Sequence, residues 1–143
     1  MLLSIVIPVY NEERLVCELL GKVVDLRLDD GMEKEIVVVD DGSSDRTHAV
    51  VGKFVRENPK ADIRLLAHDQ NRGKGAAVRT GIDAARGDIL IIQDADLEYD
   101  PQDIREVMRP IAEQRALVVY GSRILREKAL GRSGMLGLIT GKH

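Results

Sequence analysis

The sequence contains few of the residues that define several common protein classes. Among its 143 residues are one cysteine, one phenylalanine, three tyrosines and no tryptophan. The single thiol, Cys17, cannot form an internal disulfide and lies among apolar residues, which favours a core position over a reactive one. Aromatic side chains are scarce and the net charge is -3, so base-stacking platforms and broad basic surfaces are disfavoured. We therefore expect no nucleic-acid partner.

Long apolar runs are also missing. No run reaches the ~20 residues that a membrane-spanning helix needs. Residues 1–7 lack the basic start and the cleavage site of a secretory signal. These absences predict a cytoplasmic protein that is either soluble or peripheral at the cytoplasmic face of a membrane. The length fits one domain, and a composition of 44% hydrophobic and 31% charged residues is ordinary for a globular protein.

Short apolar runs alternate along the chain with segments of helical periodicity. The predicted strands cover residues 2–7, 36–39, 63–67, 89–92 and 117–120. The predicted helices cover residues 12–26, a segment capped by Ser43 or Ser44, a segment that follows Gly75 and runs to about Ala85, and a segment that begins at Pro101. This alternation predicts an α/β fold with a mostly parallel sheet and helices on both faces. Ligands bind such sheets beyond the carboxyl ends of the strands.

The third predicted helix has its apolar residues on one face. Its apolar residues Val78, Ile82 and Ala85 recur at helical spacing, so we expect them to form the face that packs on the sheet. Gly87 follows the last of them and is expected to end the helix.

The most informative stretch follows the predicted strand 89–92. Asp94 and Asp96 project to the same side of an extended backbone. Two like charges at so short a distance repel each other unless a cation lies between them. Mg²⁺ and Mn²⁺ prefer oxygen ligands and keep positions open for phosphates. The pattern therefore predicts a divalent metal and a phosphorylated ligand, with Glu98 as a further oxygen ligand. A calcium loop is rejected, because Tyr99 and Arg105 occupy its required Gly and Glu positions.

Polar residues also end two other predicted strands, at residues 10–12 and 40–41. Asp41 has two interpretations that the residues alone leave open. It could shape a turn before a helix cap, or it could accept N–H groups from a uracil or guanine edge against which Tyr10 packs its ring. Because all three polar clusters follow strand ends, we expect them to meet at one rim of the sheet.

The segment Gly73-Lys74-Gly75 also has two interpretations. Its backbone N–H groups precede a helix and could bind an anion, or the segment could be only a tight turn packed on the sheet. It is not a P-loop, because Lys74 is not followed by Ser or Thr. The histidines have no ligand-like spacing and are interpreted as non-catalytic; they are His48, His68 and His143.

Five segments in this order resemble a known enzyme family. They are residues 5–12 (IVIPVYNE), 39–45 (VDDGSSD), 71–75 (NRGKG), 87–88 (GD) and 94–96 (DAD). The set resembles family 2 glycosyltransferases of the GT-A fold, and within them dolichyl- or polyprenyl-phosphate mannosyl- and glucosyltransferases. The resemblance covers about residues 2–126. It implies a hexose transfer with inversion from a GDP- or UDP-linked nucleotide sugar to a polyprenyl or dolichyl phosphate, with Mg²⁺ or Mn²⁺ as cofactor.

The resemblance also implies roles for individual residues. Asp94, Asp96 and Glu98 would hold the metal, and Asp96 and Arg123 would be the catalytic residues near the donor phosphates. The implied nucleotide-binding residues are Pro8, Tyr10, Glu12, Val39, Asp41, Asp94 and Ala95.

Family members continue well beyond Arg123. We therefore expect residues 1–123 to form the donor-binding domain and residues 124–143 to begin an acceptor or membrane-proximal region, with the acceptor-side half largely absent. Within that tail, the apolar patch 135–139 is compatible with a short helix, a membrane-surface contact or the start of a further domain. The alternatives in function are a nucleotide-sugar-binding fragment without efficient transfer and a family 2 transferase with a saccharide acceptor. A nucleotidyltransferase is disfavoured, because residues 8–12 are neither glycine-rich nor basic.

Overall fold

The computed structural model describes residues 1–97 and 100–114, together with the backbone of two strands at 118–120 and 138–141. The strands are β1 (Leu2–Val9), β2 (Glu33–Asp40), β3 (Ile63–Ala67), β4 (Ile89–Ile92), β5 (Val118–Tyr120) and β6 (Leu138–Gly141). The helices are α1 (Val16–Asp25), α2 (Thr47–Glu57), α3 (Lys74–Ala84) and α4 (Ile104–Ala112), and a 3₁₀ turn at Pro101–Asp103 leads into α4.

The strands form one mostly parallel sheet, as predicted. Their order is β3-β2-β1-β4-β6-β5, and β1 to β4 pair in parallel. The pairs β4–β6 and β5–β6 are antiparallel. Strand β6 overlaps the apolar patch 135–139 of the tail, and its residues Leu138–Gly141 add a strand to the sheet between β4 and β5.

Helices cover both faces of this sheet, which confirms the predicted layer arrangement. Residues of β1 alternate between the two faces, because successive side chains of a strand point in opposite directions. The larger core lies under α1, α2 and α4. The smaller core lies under α3 and contains Val6, Val37, Val39, Ala77 and Leu90.

Helix α3 packs on the sheet through small residues at its centre, and the predicted face is confirmed in part, because Ile82 and Ala85 pack against the smaller core. The buried residues of α3 are Ala77 and Gly81, whereas the expected packing residues Val78 and Ile82 are only partly buried. A Cβ at Gly81 would lie 2.3 Å from Val6 Cγ1, so glycine permits the close approach of helix and strand. The periodicity of apolar residues does not indicate the small contact residues, because the helix lies too close to the sheet for large side chains at its centre.

Gly87 does not end α3 in the predicted way. The helix ends at Ala84, and the buried Gly87 faces β1, where a Cβ would lie 2.5 Å from Ser4 Oγ. Its N–H donates to Ser4 Oγ at 2.8 Å. Gly87 therefore provides space for the chain to enter β4.

A buried ionic cluster joins the strands near their amino ends. The carboxylate of Glu35 on β2 accepts hydrogen bonds from Ser4 Oγ at 2.5 Å and from Arg86 Nε at 2.8 Å, and it pairs with Arg64 Nη2 at 3.0 Å. Burial acts to raise the pKa of Glu35, but the hydrogen bonds from Ser4 and Arg86 and the charge of Arg64 lower it to about 2. The cluster therefore holds an ionised carboxylate inside the fold.

Within the described part of the chain, none of the helices has the length and apolar character that crossing a membrane requires.

Candidate active site

The carboxyl ends of β1, β2 and β4 meet at a cavity of about 240 Å³. The three polar clusters predicted to share one rim of the sheet therefore do so. The lining residues are Pro8, Val9, Tyr10, Glu12, Asp41, Asn71, Lys74, Ala77, Asp94, Ala95 and Asp96. Tyr10 is unusually exposed for a large apolar side chain, at 47%, and is available to pack against a ligand.

Most of the predicted nucleotide-binding residues lie in this lining, and their roles stay predictions. Val39 is not among the described residues that line the cavity, because its side chain is buried in the smaller core beneath α3. Glu98 and Arg123 fall outside the described residues, so their predicted roles rest on the sequence alone.

Negative charge is concentrated on one side of the cavity. Asp94 and Asp96 follow β4, and Glu12 follows β1. Burial raises the pKa of Glu12, and the charges of Asp96 and Asp45 raise it further. A divalent cation would relieve this repulsion, so the carboxylate oxygens present fit a hard metal ion.

The protein ligands available for such an ion are few. Among the described residues, no group of three acidic, histidine or cysteine side chains is arranged to hold a metal. Of the predicted metal ligands, Asp94 and Asp96 are the ones that the structure describes, and they would supply two oxygen ligands beside positions open to water and phosphate oxygens. This division is typical of magnesium sites that bind nucleotides.

A positive charge lies beside these carboxylates. Lys74, the first residue of α3, forms an ion pair through Nζ with Asp94 Oδ1. The first N–H groups of a helix have no intrahelical acceptor, and the helix dipole favours an anion at this end. The lysine and the start of α3 together form a candidate phosphate site, which is the anion-binding interpretation of residues 73–75.

The loops after β1 and β2 are held together by side chains. Asn11, whose φ is +50°, donates its N–H to Ser43 Oγ at 2.9 Å and accepts the Ser44 N–H through Oδ1 at 2.9 Å. The prediction that Ser43 or Ser44 caps α2 is wrong, because the N-cap position is Arg46 and both serines precede it. Both serine hydroxyls and the Ser44 N–H bind Asn11 of the neighbouring loop instead, which positions Tyr10 beside the β2 end.

Asp41 is almost fully buried, with 2% of its surface exposed. Its Oδ1 accepts hydrogen bonds from His68 Nδ1 at 2.8 Å and from the Arg72 N–H at 2.9 Å, and its Oδ2 accepts from the Gly73 N–H at 2.9 Å. Burial acts to raise the pKa of Asp41, but these hydrogen bonds lower it, so the side chain is a carboxylate. It therefore shapes the β3–α3 turn, and contact with a base stays a prediction.

The β3–α3 turn, which Asp41 holds, also packs against Gly42, the residue that follows Asp41. The φ of Gly42 is +71°, and a Cβ there would lie 2.4 Å from the carbonyl carbon of Gln70. Only glycine accommodates both the backbone conformation and this approach. The loop that carries Asn71 and leads to Lys74 at the start of α3 is thereby brought to the rim of the cavity.

His68 is the site-associated residue that the sequence analysis missed. Its spacing to other residues indicates no ligand role, and the interpretation that it is non-catalytic stays a prediction. The structure places it directly after β3, where its N–H donates to Asp40 O and its ring contacts Asp41. The available signal was its position at the carboxyl end of a strand that neighbours β2.

Comparison with known proteins identifies the family. Residues 4–138 match the sequence model of Glycosyl transferase family 2. The chain belongs to this family. The mostly parallel sheet with helices on both faces is accordingly that of a GT-A glycosyltransferase.

Individual relatives of this family 2 chain include lipid-phosphate transferases. Dolichyl-phosphate beta-glucosyltransferase from Dictyostelium discoideum is 34% identical over 129 residues, which are 85% of this chain and 39% of that protein. This chain therefore spans well under half the length of that relative.

Solved structures that are similar to this chain include two that contain a nucleotide or a nucleotide sugar. Mannosyltransferase PcManGT from Pyrobaculum calidifontis, in complex with GDP-Man and Mn²⁺, matches with a TM-score of 0.73 and 28% identity over 87% of this chain and 36% of that one. TarS 1-349 from S. aureus, in complex with UDP, matches with a TM-score of 0.68 and 27% identity over 82% of this chain and 34% of that one.

Proposed function

We propose that this chain binds a nucleotide sugar together with a divalent cation. In this proposal it orients that donor for transfer of a hexose to a polyprenyl or dolichyl phosphate. The observation that carries the proposal is the convergence of Asp94, Asp96, Lys74 and Tyr10 on one cavity at the carboxyl end of the sheet. These groups match the parts of a nucleotide sugar, which has an aromatic base, an anionic diphosphate and a need for a counter-ion.

In this proposal the nucleoside lies between Tyr10 and Asp41, and the diphosphate lies between Lys74 and the Asp94–Asp96 pair. The donor is of the GDP-mannose or UDP-glucose type, since similar structures contain GDP-Man and UDP. The cation is Mg²⁺ or Mn²⁺, and the Mn²⁺ of PcManGT supports a divalent ion. A cation held there would neutralise the charge that develops on the departing nucleoside diphosphate.

The protein's own contribution is to bind and orient the donor. Lys74 and the amino end of α3 would hold the diphosphate, while Asp41 and Tyr10 would hold the base. A lipid phosphate is already an anion, so its attack on the anomeric carbon needs little help from a general base. The dolichyl-phosphate relative supports such an acceptor, and we propose that the chain meets it at the cytoplasmic face of a membrane.

Binding and transfer are tested separately. We expect UDP or GDP to bind in calorimetric titrations with Mn²⁺ present and to lose that binding in excess chelator. Release of the nucleoside diphosphate from the nucleotide sugar is then measured with and without a short-chain polyprenyl phosphate, and the lipid is analysed by mass spectrometry. A glycosylated lipid supports the transfer, whereas binding with no lipid product indicates a donor-binding unit. Absence of metal-dependent nucleotide binding would refute the proposal.

A further inference from the structure

His68 lies at the junction of three elements, next to the candidate base site. It follows β3, its Nδ1 lies 2.8 Å from Asp41 Oδ1 after β2, and its Nε2 lies 2.8 Å from Thr80 Oγ1 on α3. Its side chain is 6% exposed, so its two ring nitrogens are satisfied by protein groups rather than by bulk water. The ring is therefore held at both ends.

The chemistry of the partners assigns the proton on Nδ1. An ionised carboxylate only accepts hydrogen bonds, so Nδ1 must carry a proton and donate it to Asp41. A threonine hydroxyl both donates and accepts, so Thr80 satisfies Nε2 in either state. The hydrogen bond therefore runs from His68 Nδ1 to Asp41 whether or not Nε2 is protonated.

This bond determines which part of Asp41 can meet a ligand. A carboxylate offers about four acceptor positions. His68 and the Arg72 N–H use both positions on Oδ1, and the Gly73 N–H uses one on Oδ2. Among the described residues no other donor to Oδ2 is seen, so one acceptor position remains there, and Asp41 lines the cavity. With the carboxylate locked against rotation, a ligand there meets an acceptor in a fixed direction.

We propose that His68 is a positioning residue that orients Asp41 to select bases with a ring N–H, a role that rests on the proposed nucleotide site. Uracil and guanine present a ring N–H at the centre of their pairing edge, whereas cytosine and adenine present an unprotonated ring nitrogen. A fixed acceptor attracts the first pair and repels the second. His68 and Thr80 are outside the set of described residues that line the cavity, so they act through Asp41 rather than on the substrate.

The test compares UDP with CDP, which differ only at the pairing edge of the base. His68→Phe keeps a planar ring but removes both hydrogen bonds, and we expect it to lower the preference for UDP over CDP by about tenfold. His68→Asn retains a donor on the Asp41 side and should restore most of the preference. Thr80→Val keeps the imidazole but removes its second anchor, and an intermediate loss is expected.

Pyrophosphate with Mn²⁺ is the baseless control ligand, and thermal unfolding of each variant checks the fold. Loss of the UDP preference with unchanged pyrophosphate binding supports the proposal. An unchanged UDP to CDP ratio in His68→Phe overturns it, and if that variant does not fold, an unchanged ratio in Thr80→Val does so. An equal loss for UDP, CDP and pyrophosphate also overturns it, since His68 would then only support the fold. If the wild type binds pyrophosphate but prefers neither UDP over CDP nor GDP over ADP, this inference alone is overturned. Failure of the wild type to bind UDP, GDP and pyrophosphate refutes the proposed nucleotide site with it.

Discussion

Lys74 and Asp94 form an ion pair that joins the first turn of α3 to the loop after β4. The pair places the positive charge of Lys74 against Asp94, one of the two carboxylates proposed to hold the cation. Lys74 therefore has two effects in the proposed site. It competes for Asp94 with a cation that binds without a nucleotide, and it attracts the diphosphate that accompanies the cation. These two effects have opposite signs when the lysine is removed.

Lys74→Met is expected to weaken binding of UDP or GDP with Mn²⁺ by about tenfold, because a charge-assisted contact to phosphate is lost. Binding of Mn²⁺ alone, followed by electron paramagnetic resonance, should be unchanged or tighter. Lys22→Met, at an exposed position in the last turn of α1, is the matched control and should change neither. Equal nucleotide affinity in the Lys74 and Lys22 variants would contradict the phosphate role.

Asp96→Asn is expected to remove most of the metal-dependent part of nucleotide binding, because a neutral amide is a poor ligand for a hard cation. The measurement is calorimetric titration of UDP or GDP with Mn²⁺ and then with excess chelator. Asp83→Asn, at an exposed position on α3, carries the same change of charge and should behave as the wild type. A chelator effect as large in Asp96→Asn as in the wild type would exclude Asp96 as a ligand.

Glu35→Gln is expected to lower the free energy of unfolding at pH 7. Because the pKa of Glu35 falls from 4.5 to about 2 on folding, its ionised form contributes stability above pH 4.5, and this contribution is lost as the pH falls towards 2. The full effect corresponds to about 3 kcal/mol.

Urea unfolding at several pH values checks this prediction. The difference between the wild type and Glu35→Gln should be largest near neutral pH and shrink below pH 4.5. Glu57→Gln, in an exposed ion pair with Lys53, is the control and should cost under about 1 kcal/mol at any pH. A difference that does not vary with pH would mean that Glu35 contributes through packing alone.

Gly81→Ala is expected to destabilise the fold by about 1–3 kcal/mol, since the added methyl would overlap Val6 in the contact between α3 and β1. Gly21→Ala is the matched control in the interior of α1, where an added Cβ has no heavy atom within 4 Å. It should stabilise the protein by up to about 1 kcal/mol through helix propensity. Urea unfolding of both variants measures the difference. If Gly81→Ala were stabilised as Gly21→Ala is, α3 would be able to move away from the sheet.

The elements that the sequence predicted well are those with a strong local pattern. Strands β3 and β4 were predicted with their observed bounds, Ile63–Ala67 and Ile89–Ile92. Aspartates at the ends of β2 and β4 indicated the site, because the carboxyl ends of parallel strands share one edge of a sheet. Asp41, Asp94 and Asp96 were found in this way.

The tertiary structure alone decided which distant residues meet. Local periodicity carries no information about the distance between a helix and the sheet, so the small residues Ala77 and Gly81 were not expected to face it. Spacing likewise could not reveal that His68 contacts Asp41, 27 residues earlier, or that Lys74 pairs with Asp94. Such contacts arise when strands order themselves side by side and bring their ends together. The sequence by itself therefore determined the elements from β1 to α4, the family and the rim proposed to bind a ligand. Packing decided which side chains orient one another there.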